Sequence, residues 1–152
     1  MADVLRVTIL GPPVPAQMGV MVGAGKVIKG KRSTAYGQLV RQLTGFAVMR
    51  ARWTATREDS FSVVLRAFVG TLRVIDVDNI AKCALDGIKG VAFPDDRQVM
   101  RLLVEKRLDR LTPRLEVEIV RLVDPDQVDA APLILAPHGL AVRSCLAAPG
   151  AV

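Results

Sequence analysis

Hydrophobic and polar positions alternate from Val4 to Leu10, with Leu5, Val7 and Ile9 on one face and Arg6 and Thr8 on the other. A period of two predicts a strand with one buried face. Gly11-Pro12-Pro13-Val14-Pro15 ends it, because proline has no N–H with which to extend a ladder. Residues 16–33 lose this pattern and fill with glycine and then lysine, which predicts a mobile basic loop or a loose hairpin around Gly23-Ala24-Gly25. Ser33 or Thr34 can cap a helix that runs to about Trp53. Leu39, Val40, Leu43, Phe46 and Ala47 form its apolar stripe, with Arg50 at the end and Gly45 as its weak point. Phe61 to Val69 alternates again and reads as a second long strand. Between Asp76 and Val91 the spacing of Ile80, Ala84, Leu85 and Ile88 predicts a second helix, terminated by Gly90. Val99–Leu108 and Leu115–Val123 read as two further strands, and Thr112-Pro113 between them predicts a hairpin.

The resulting order is β, α, β, α, β, β. It predicts a single α+β domain over residues 1–123, a mixed sheet of about four strands with two main helices packed on it. Asp124-Pro125-Asp126 breaks the last strand, and residues 124–152 are rich in alanine and proline without a sustained period. A poorly ordered C-terminal tail is expected there, with a Leu133-Ile134-Leu135 patch able to dock on the body or on a partner.

Composition narrows the function classes. With 152 residues, 51% of them hydrophobic, the chain is long and apolar enough for a real core. No apolar run approaches the roughly 18–20 residues that a membrane-spanning helix requires. Met1-Ala2-Asp3-Val4 lacks the basic-then-apolar pattern of a secretory leader. Cys83, Cys145 and the single His138 have no zinc-ligand spacing, so a reducing, cytoplasmic location is expected. The net charge is +6, and it is unevenly spread. Residues 1–123 hold 20 Lys and Arg against 12 Asp and Glu, whereas the tail has three Asp and one Arg. A basic body fits either a solvated surface or a phosphate-backbone binder, and charge alone does not choose. Lys26, Lys29, Lys31 and Arg32 gather in and after the loop; Arg41, Arg50, Arg52 and Arg57 follow along the first helix and its end. Gly25-Lys26 is not a phosphate loop, because no glycine lies five positions earlier and Val27 stands where Ser or Thr is needed.

Against this basic background, Asp76, Asp78, Asp95 and Asp96 crowd together between positions 76 and 96, with Lys82 among them. Carboxylates at that density repel one another unless something positive sits between them, and a hard divalent cation prefers oxygen ligands. If the chain is extended at Asp76-Val77-Asp78, both carboxylates project from one face with Cα atoms about 7 Å apart. Asp78 or Asn79 can also cap the second helix, which leaves open a purely structural role for Asp78 with Asp76 as a turn residue. Lys82 lies one helical turn beyond Asp78, placed to neutralise a carboxylate or to face a phosphate. Asp86, one turn further, reads as an exposed partner that orients Lys82. Pro94-Asp95-Asp96 is an ordinary turn sequence taken alone. It gains meaning if the return from the helix brings it beside Asp78. Lys106 reads as a surface charge or a phosphate contact.

The pattern Asp76-x-Asp78-Asn79-x-x-Lys82-x-x-x-Asp86-Gly87-Ile88, then Asp95-Asp96-x-Gln98-Val99 and Lys106, resembles the RusA family of Holliday junction resolvases. Gly11-Pro12-Pro13-Val14-Pro15 after the first strand is similar to that family as well. The resemblance covers about residues 5–122. It implies a small homodimeric endonuclease that cuts four-way junction DNA with Mg²⁺, for which Mn²⁺ can substitute. By position it implies Asp76, Asp78 and Asp96 as metal-binding acids, Lys82 as the catalytic lysine and Asp95 as an accessory acid. One departure is visible. Family members often carry arginines just after the Gly-Pro-x-x-Pro segment, where this chain has Ala16-Gln17-Met18-Gly19, and its basic residues come later, at Lys26, Lys29, Lys31 and Arg32. Two rivals to this reading are a basic nucleic-acid-binding module with structural acids, and a metal-dependent hydrolase of small nucleotides.

Overall fold

The strand β1 (Val4–Leu10) buries Leu5, Val7 and Ile9 and exposes Arg6, Thr8 and Leu10, as its period of two requires. In the computed structural model the described residues are 3–17, 20–22, 26–28, 30–72 and 75–123. The expected tail at 124–152, its Leu133-Ile134-Leu135 patch, the turn at Gly23-Ala24-Gly25 and Lys29 lie outside them. Among the described residues, β1 is followed by β2 (Val20–Val22), β3 (Lys26–Ile28), α1 (Lys31–Ala51), β4 (Ser60–Val69) and α2 (Val77–Ile88). A 3-10 turn (Asp96–Gln98), β5 (Val99–Leu108) and β6 (Arg114–Leu122) complete the order. No helix among them is long and apolar enough to cross a membrane. The basic segment after Pro15 is a short antiparallel pair, β2 with β3, which is the loose hairpin of the two alternatives read there.

The α+β class, the mixed sheet and the two helices stand as expected, but the hairpin between the last two strands does not. The sheet order is β1-β6-β4-β5, so β4 lies between β5 and β6. β6 runs antiparallel to both β1 and β4, whereas β5 runs parallel to β4. Burial explains the choice. Apart from half-buried Phe68, every residue of β4 is buried, so its two edges and both its faces need cover. β5 has no fully buried residue and can stand at an edge. Pairing β5 directly with β6 would have left the most apolar strand at the rim, where unpaired backbone and apolar surface are both costly.

On the helix side of the sheet the strands line up in rows. Leu5 pairs with Ile119, which pairs with Val63, which pairs with Leu102. Val7, Val117, Leu65 and Val104 form the next row, and Ile9, Leu115, Ala67 and Lys106 the third. The rows are fully buried through β1, β6 and β4 and open to solvent only at β5, where Leu102 is 42% exposed. The helices therefore cover the first three strands and leave a gap over the fourth.

The first helix begins at Lys31, with Gly30 as its N-cap, three to four residues before the expected cap. Ser33 and Thr34 hydroxyls donate back to the Gly30 carbonyl instead of capping. Its buried positions are Ser33, Tyr36, Val40 and Thr44, and the expected stripe is only half right: Leu39 and Phe46 are exposed, while Leu43 and Ala47 are half-buried on the core. Two surfaces compete for α1, which touches both α2 and β1. Small residues win the contact with α2. A Cβ on Gly87 would lie 2.8 Å from the Val40 Cβ and 2.9 Å from the Gly37 carbonyl, so the two helices meet at glycine distance. The second helix follows expectation: Ile80, Ala84 and Ile88 are buried with Leu85 at the margin, and Gly90 takes a positive φ of 73° just beyond its end.

Candidate active site

The gap over β5 is a cleft of about 930 Å³ between α2 and the edge strand. Its walls carry Asp76, Asp78, Lys82, Asp86 and Asp96, and its floor carries Leu102 and Val104. Four carboxylates and one ammonium thus share one opening, three of the carboxylates and the lysine having been assigned to one site from sequence. All five charged side chains are on exposed residues.

The start of α2 explains how the first two acids face the same way. The helix begins at Val77, so Asp76, not Asp78 or Asn79, is the N-cap residue. Asp76 has extended backbone (φ −79°, ψ 141°) and Asp78 is already in the first helical turn. The expected extended Asp-x-Asp geometry is replaced by one extended residue followed by a helical one. Asp76 makes no side-chain cap hydrogen bond, so its carboxylate is not spent on the helix end. Lys82 and Asp86 follow at one-turn intervals along the same side of the helix.

Asp96 arrives from the other direction. Just after α2 the chain meets an aromatic group, in which Phe93 stacks on Phe61 (centroids 5.5 Å), Trp53 lies tilted against Phe61 (5.9 Å), and the Trp53 indole N–H donates to the Ala92 carbonyl at 2.7 Å. This aromatic clamp returns the chain to the sheet. Asp95 then caps the 3-10 turn: its carboxylate accepts from the Arg97 N–H at 3.0 Å, and Gln98 Oε1 accepts from the Asp95 N–H at 3.1 Å. Gln98 Nε2 also donates to the Thr56 and Asp59 carbonyls at 2.7 and 2.8 Å, tying the turn to the segment before β4. The backbone N–H of Arg97, and then its guanidinium, hold the Asp95 carboxyl well below the usual carboxylate range. Asp95 and Gln98 build the turn, and Asp96 is the member of the pair that lines the cleft. Asp95 lines a neighbouring depression with Arg57, Asp59 and Arg97 instead.

Two lysines around the cleft have roles that sequence reading missed. Lys89, at the C-terminal end of α2, donates to Asp96 Oδ1 at 3.0 Å and stands 3.9 Å from Asp95. The bond to Asp96 raises the Lys89 pKa. Nothing in the local sequence marks Lys89, although its spacing before the Asp-Asp pair is short enough for contact. Lys106 is not a free surface charge. Its ammonium donates to the Leu72 and Ile75 carbonyls, each at 2.6 Å.

The basic residues expected to grip DNA are placed as follows. Lys26 lies on β3, and Lys31 and Arg32 open α1 and are exposed. Ahead of the hairpin that carries Lys26, the Ala16 N–H donates to the Asn79 carbonyl in the first turn of α2 at 2.8 Å.

The donor chemistry suits a hard cation: the cleft offers carboxylate oxygens and neither thiol nor imidazole. As the side chains stand, no three His, Cys, Asp or Glu among the described residues meet as a ligand cluster. Binding an ion would require the carboxylates to draw closer together and Asp96 to release or share its lysine. Both movements are rotations of exposed side chains.

Over residues 11–120 the chain matches the family model described as endodeoxyribonuclease RusA. No curated protein matches it.

Proposed function

The chain belongs to the RusA endodeoxyribonuclease family, and from that premise we propose that it is a divalent-metal-dependent endonuclease that resolves four-way DNA junctions. The observation that carries this reading is the shared cleft: Asp76, Asp78 and Asp96 from three different backbone settings, with Lys82, around one opening. Asp76, Asp78 and Asp96 would hold Mg²⁺ or Mn²⁺. A cation bound there supplies a water of lowered pKa and charge neutralisation at the scissile phosphate. The Lys82 ammonium donates to the phosphate oxygens on which negative charge grows in the transition state. The Leu102 and Val104 floor limits water beneath the reacting group. Asp95 acts as an accessory acid by holding the turn that presents Asp96.

Charge supports a DNA substrate. Residues 31–57 contain Lys31, Arg32, Arg41, Arg50, Arg52 and Arg57 and no acid. Lys26, Lys29, Lys31 and Arg32, which follow in sequence the segment that Ala16 anchors at Asn79, bind phosphates, which fixes register without reading bases. A four-way junction has two-fold symmetry, so a homodimer with two-fold symmetry presents one cleft to each of two strands and makes paired nicks. The reaction belongs in the cytoplasm, in DNA recombination and repair, in a bacterium or a phage-infected cell.

The test is cleavage of a labelled four-way junction against a matched linear duplex, in Mg²⁺ and in EDTA. The expected result is cutting of the junction alone, in Mg²⁺ alone. Asp76→Asn, Asp78→Asn and Asp96→Asn each abolish cutting and leave junction binding in EDTA nearly intact. Lys82→Ala slows cutting by about 100- to 1000-fold, the usual cost of one lost charge-stabilising donor. Junction binding with a steep salt slope but no cut strands would mean a binding module. Turnover of mononucleotides with indifference to junctions would mean a small-nucleotide hydrolase.

A further inference from the structure

We propose that Lys106 is a positioning residue of the acidic cleft, which by bridging the Leu72 and Ile75 carbonyls aims the carboxylate of Asp76. The inference rests on the reading of that cleft as a metal-dependent nuclease site. Lys106 occupies a place where the sheet pattern calls for an apolar side chain: the row runs Ile9, Leu115, Ala67, Lys106. It shares the strand face of Leu102 and Val104, the two residues that floor the cleft. From there its ammonium reaches back to the chain entering α2 and makes two charge-assisted bonds of 2.6 Å.

The second of these bonds matters most. The Ile75 carbonyl belongs to the peptide unit that contains the Asp76 nitrogen, and that unit is planar. Holding the oxygen therefore fixes the plane on which Asp76 is mounted. Asp76 has no side-chain hydrogen bond to the helix end that it caps, so its own helix does not orient it. The Ile75 side chain packs on the core and holds the other side of the same residue. The backbone position set by Lys106 is what remains to hold the Asp76 carboxylate at the cleft wall. The ammonium is committed to two carbonyls and acts through Asp76, without itself touching the reacting phosphate.

The experiment compares wild type, Lys106→Met and Lys106→Arg as full chains without DNA, titrating Mn²⁺ and reading free ion by electron paramagnetic resonance. Methionine keeps an unbranched stem and removes the donors. Lys106→Met should bind Mn²⁺ about 10- to 100-fold more weakly, the range seen when a residue that orients a metal ligand is lost. Its junction affinity in EDTA should stay near wild type, with only a modest fall in thermal midpoint from the two lost bonds. Lys106→Arg should recover most of the loss, because a guanidinium can still donate to both carbonyls. Asp76→Asn should weaken Mn²⁺ binding comparably, and the Lys106→Met, Asp76→Asn double variant no further, since both act on one ligand. Mn²⁺ affinity of Lys106→Met within about twofold of wild type would overturn the proposal. So would additive losses in the double variant, or thermal stability and junction binding falling in step with Mn²⁺ affinity. Wild type that binds no Mn²⁺ would overturn the nuclease reading and this inference with it.

Discussion

Lys89 and Asp96 stand 3.0 Å apart at the mouth of the cleft, and both are well exposed, at 40% and 46%. A pair that wet is worth little in stability, about 0.2–1 kcal/mol. Its consequence is for binding. An incoming cation competes with a resident ammonium for the same oxygen. Replacing Lys89 by Met should therefore lower the Mg²⁺ concentration needed for half-maximal cleavage by about two- to fivefold, the equivalent of one exposed pair. An Mg²⁺ titration of cleavage rate checks it, and a rightward shift would mean that Lys89 orients Asp96 more than it competes. Residue identity was enough to find the acids of the cleft as candidates, because carboxylates in a basic chain are conspicuous. It was not enough to separate Asp95 from Asp96. Adjacent and chemically identical, they part only when one carboxylate is taken by the Arg97 N–H and the other turns toward the cleft. The Asp-x-x-Gln spacing from Asp95 to Gln98 was a capping-box signal available in the sequence.

At the scale of elements, the contact between α1 and α2 is the joint on which the cleft wall depends. Gly87 faces the Val40 Cβ, which cannot swing aside as the end of a long side chain would, and the Gly37 carbonyl. Gly87→Ala gains about 1 kcal/mol of helix propensity but forces the helices apart, a strain of about 1–3 kcal/mol. The strain wins, and a net loss of about 1 kcal/mol should appear in urea unfolding. Cleavage should suffer as well, since α2 carries Asp78 and Lys82. Helix periodicity pointed correctly to α2, where Ile80, Ala84 and Ile88 are buried as read. It misled on α1, where Leu39, Phe46 and Met49 face outward and the buried face is partly Ser33 and Thr44. A helix squeezed between two surfaces buries the residues that fit, and the most hydrophobic stripe is then a poor guide.

For the whole molecule, the strand order is the outcome with the widest reach. Placing β5 at the edge opens the cleft, and the five-residue link from β5 to β6 must then step past β4. Asp109 stiffens that link: it accepts from the Leu111 and Thr112 N–H groups, the Thr112 hydroxyl and the Arg114 guanidinium. The Thr112 backbone bond leads these effects and brings the carboxyl down to about 2. A folded value below the ordinary value of about 3.9 means that the ionised form stabilises the fold. That contribution is complete above about pH 4 and fades as pH falls toward about 2. Asp59 and Asp95 are shifted in the same direction, by Arg121 and by the Arg97 N–H respectively, and add the same sign. Asp109→Asn should be less stable than wild type near neutrality and should lose less stability between about pH 4 and pH 2. Urea unfolding at a series of pH values reads both effects.

Sequence alone determined the class of the fold, the position of most elements and the residue types available to the cleft. Period and residue type are local properties, and a carboxylate keeps its affinity for hard cations wherever it is placed. Tertiary structure decided which strand became the edge, which carboxylates share the opening, and what the lysines hold. Those choices depend on partners far apart in the chain, such as Lys106 with Leu72 and Ile75, and Val63 with Ile119 and Leu102. The physical reason is competition. The most buried strand lies inside the sheet, and Lys106 and Lys89 bond what that arrangement leaves within reach.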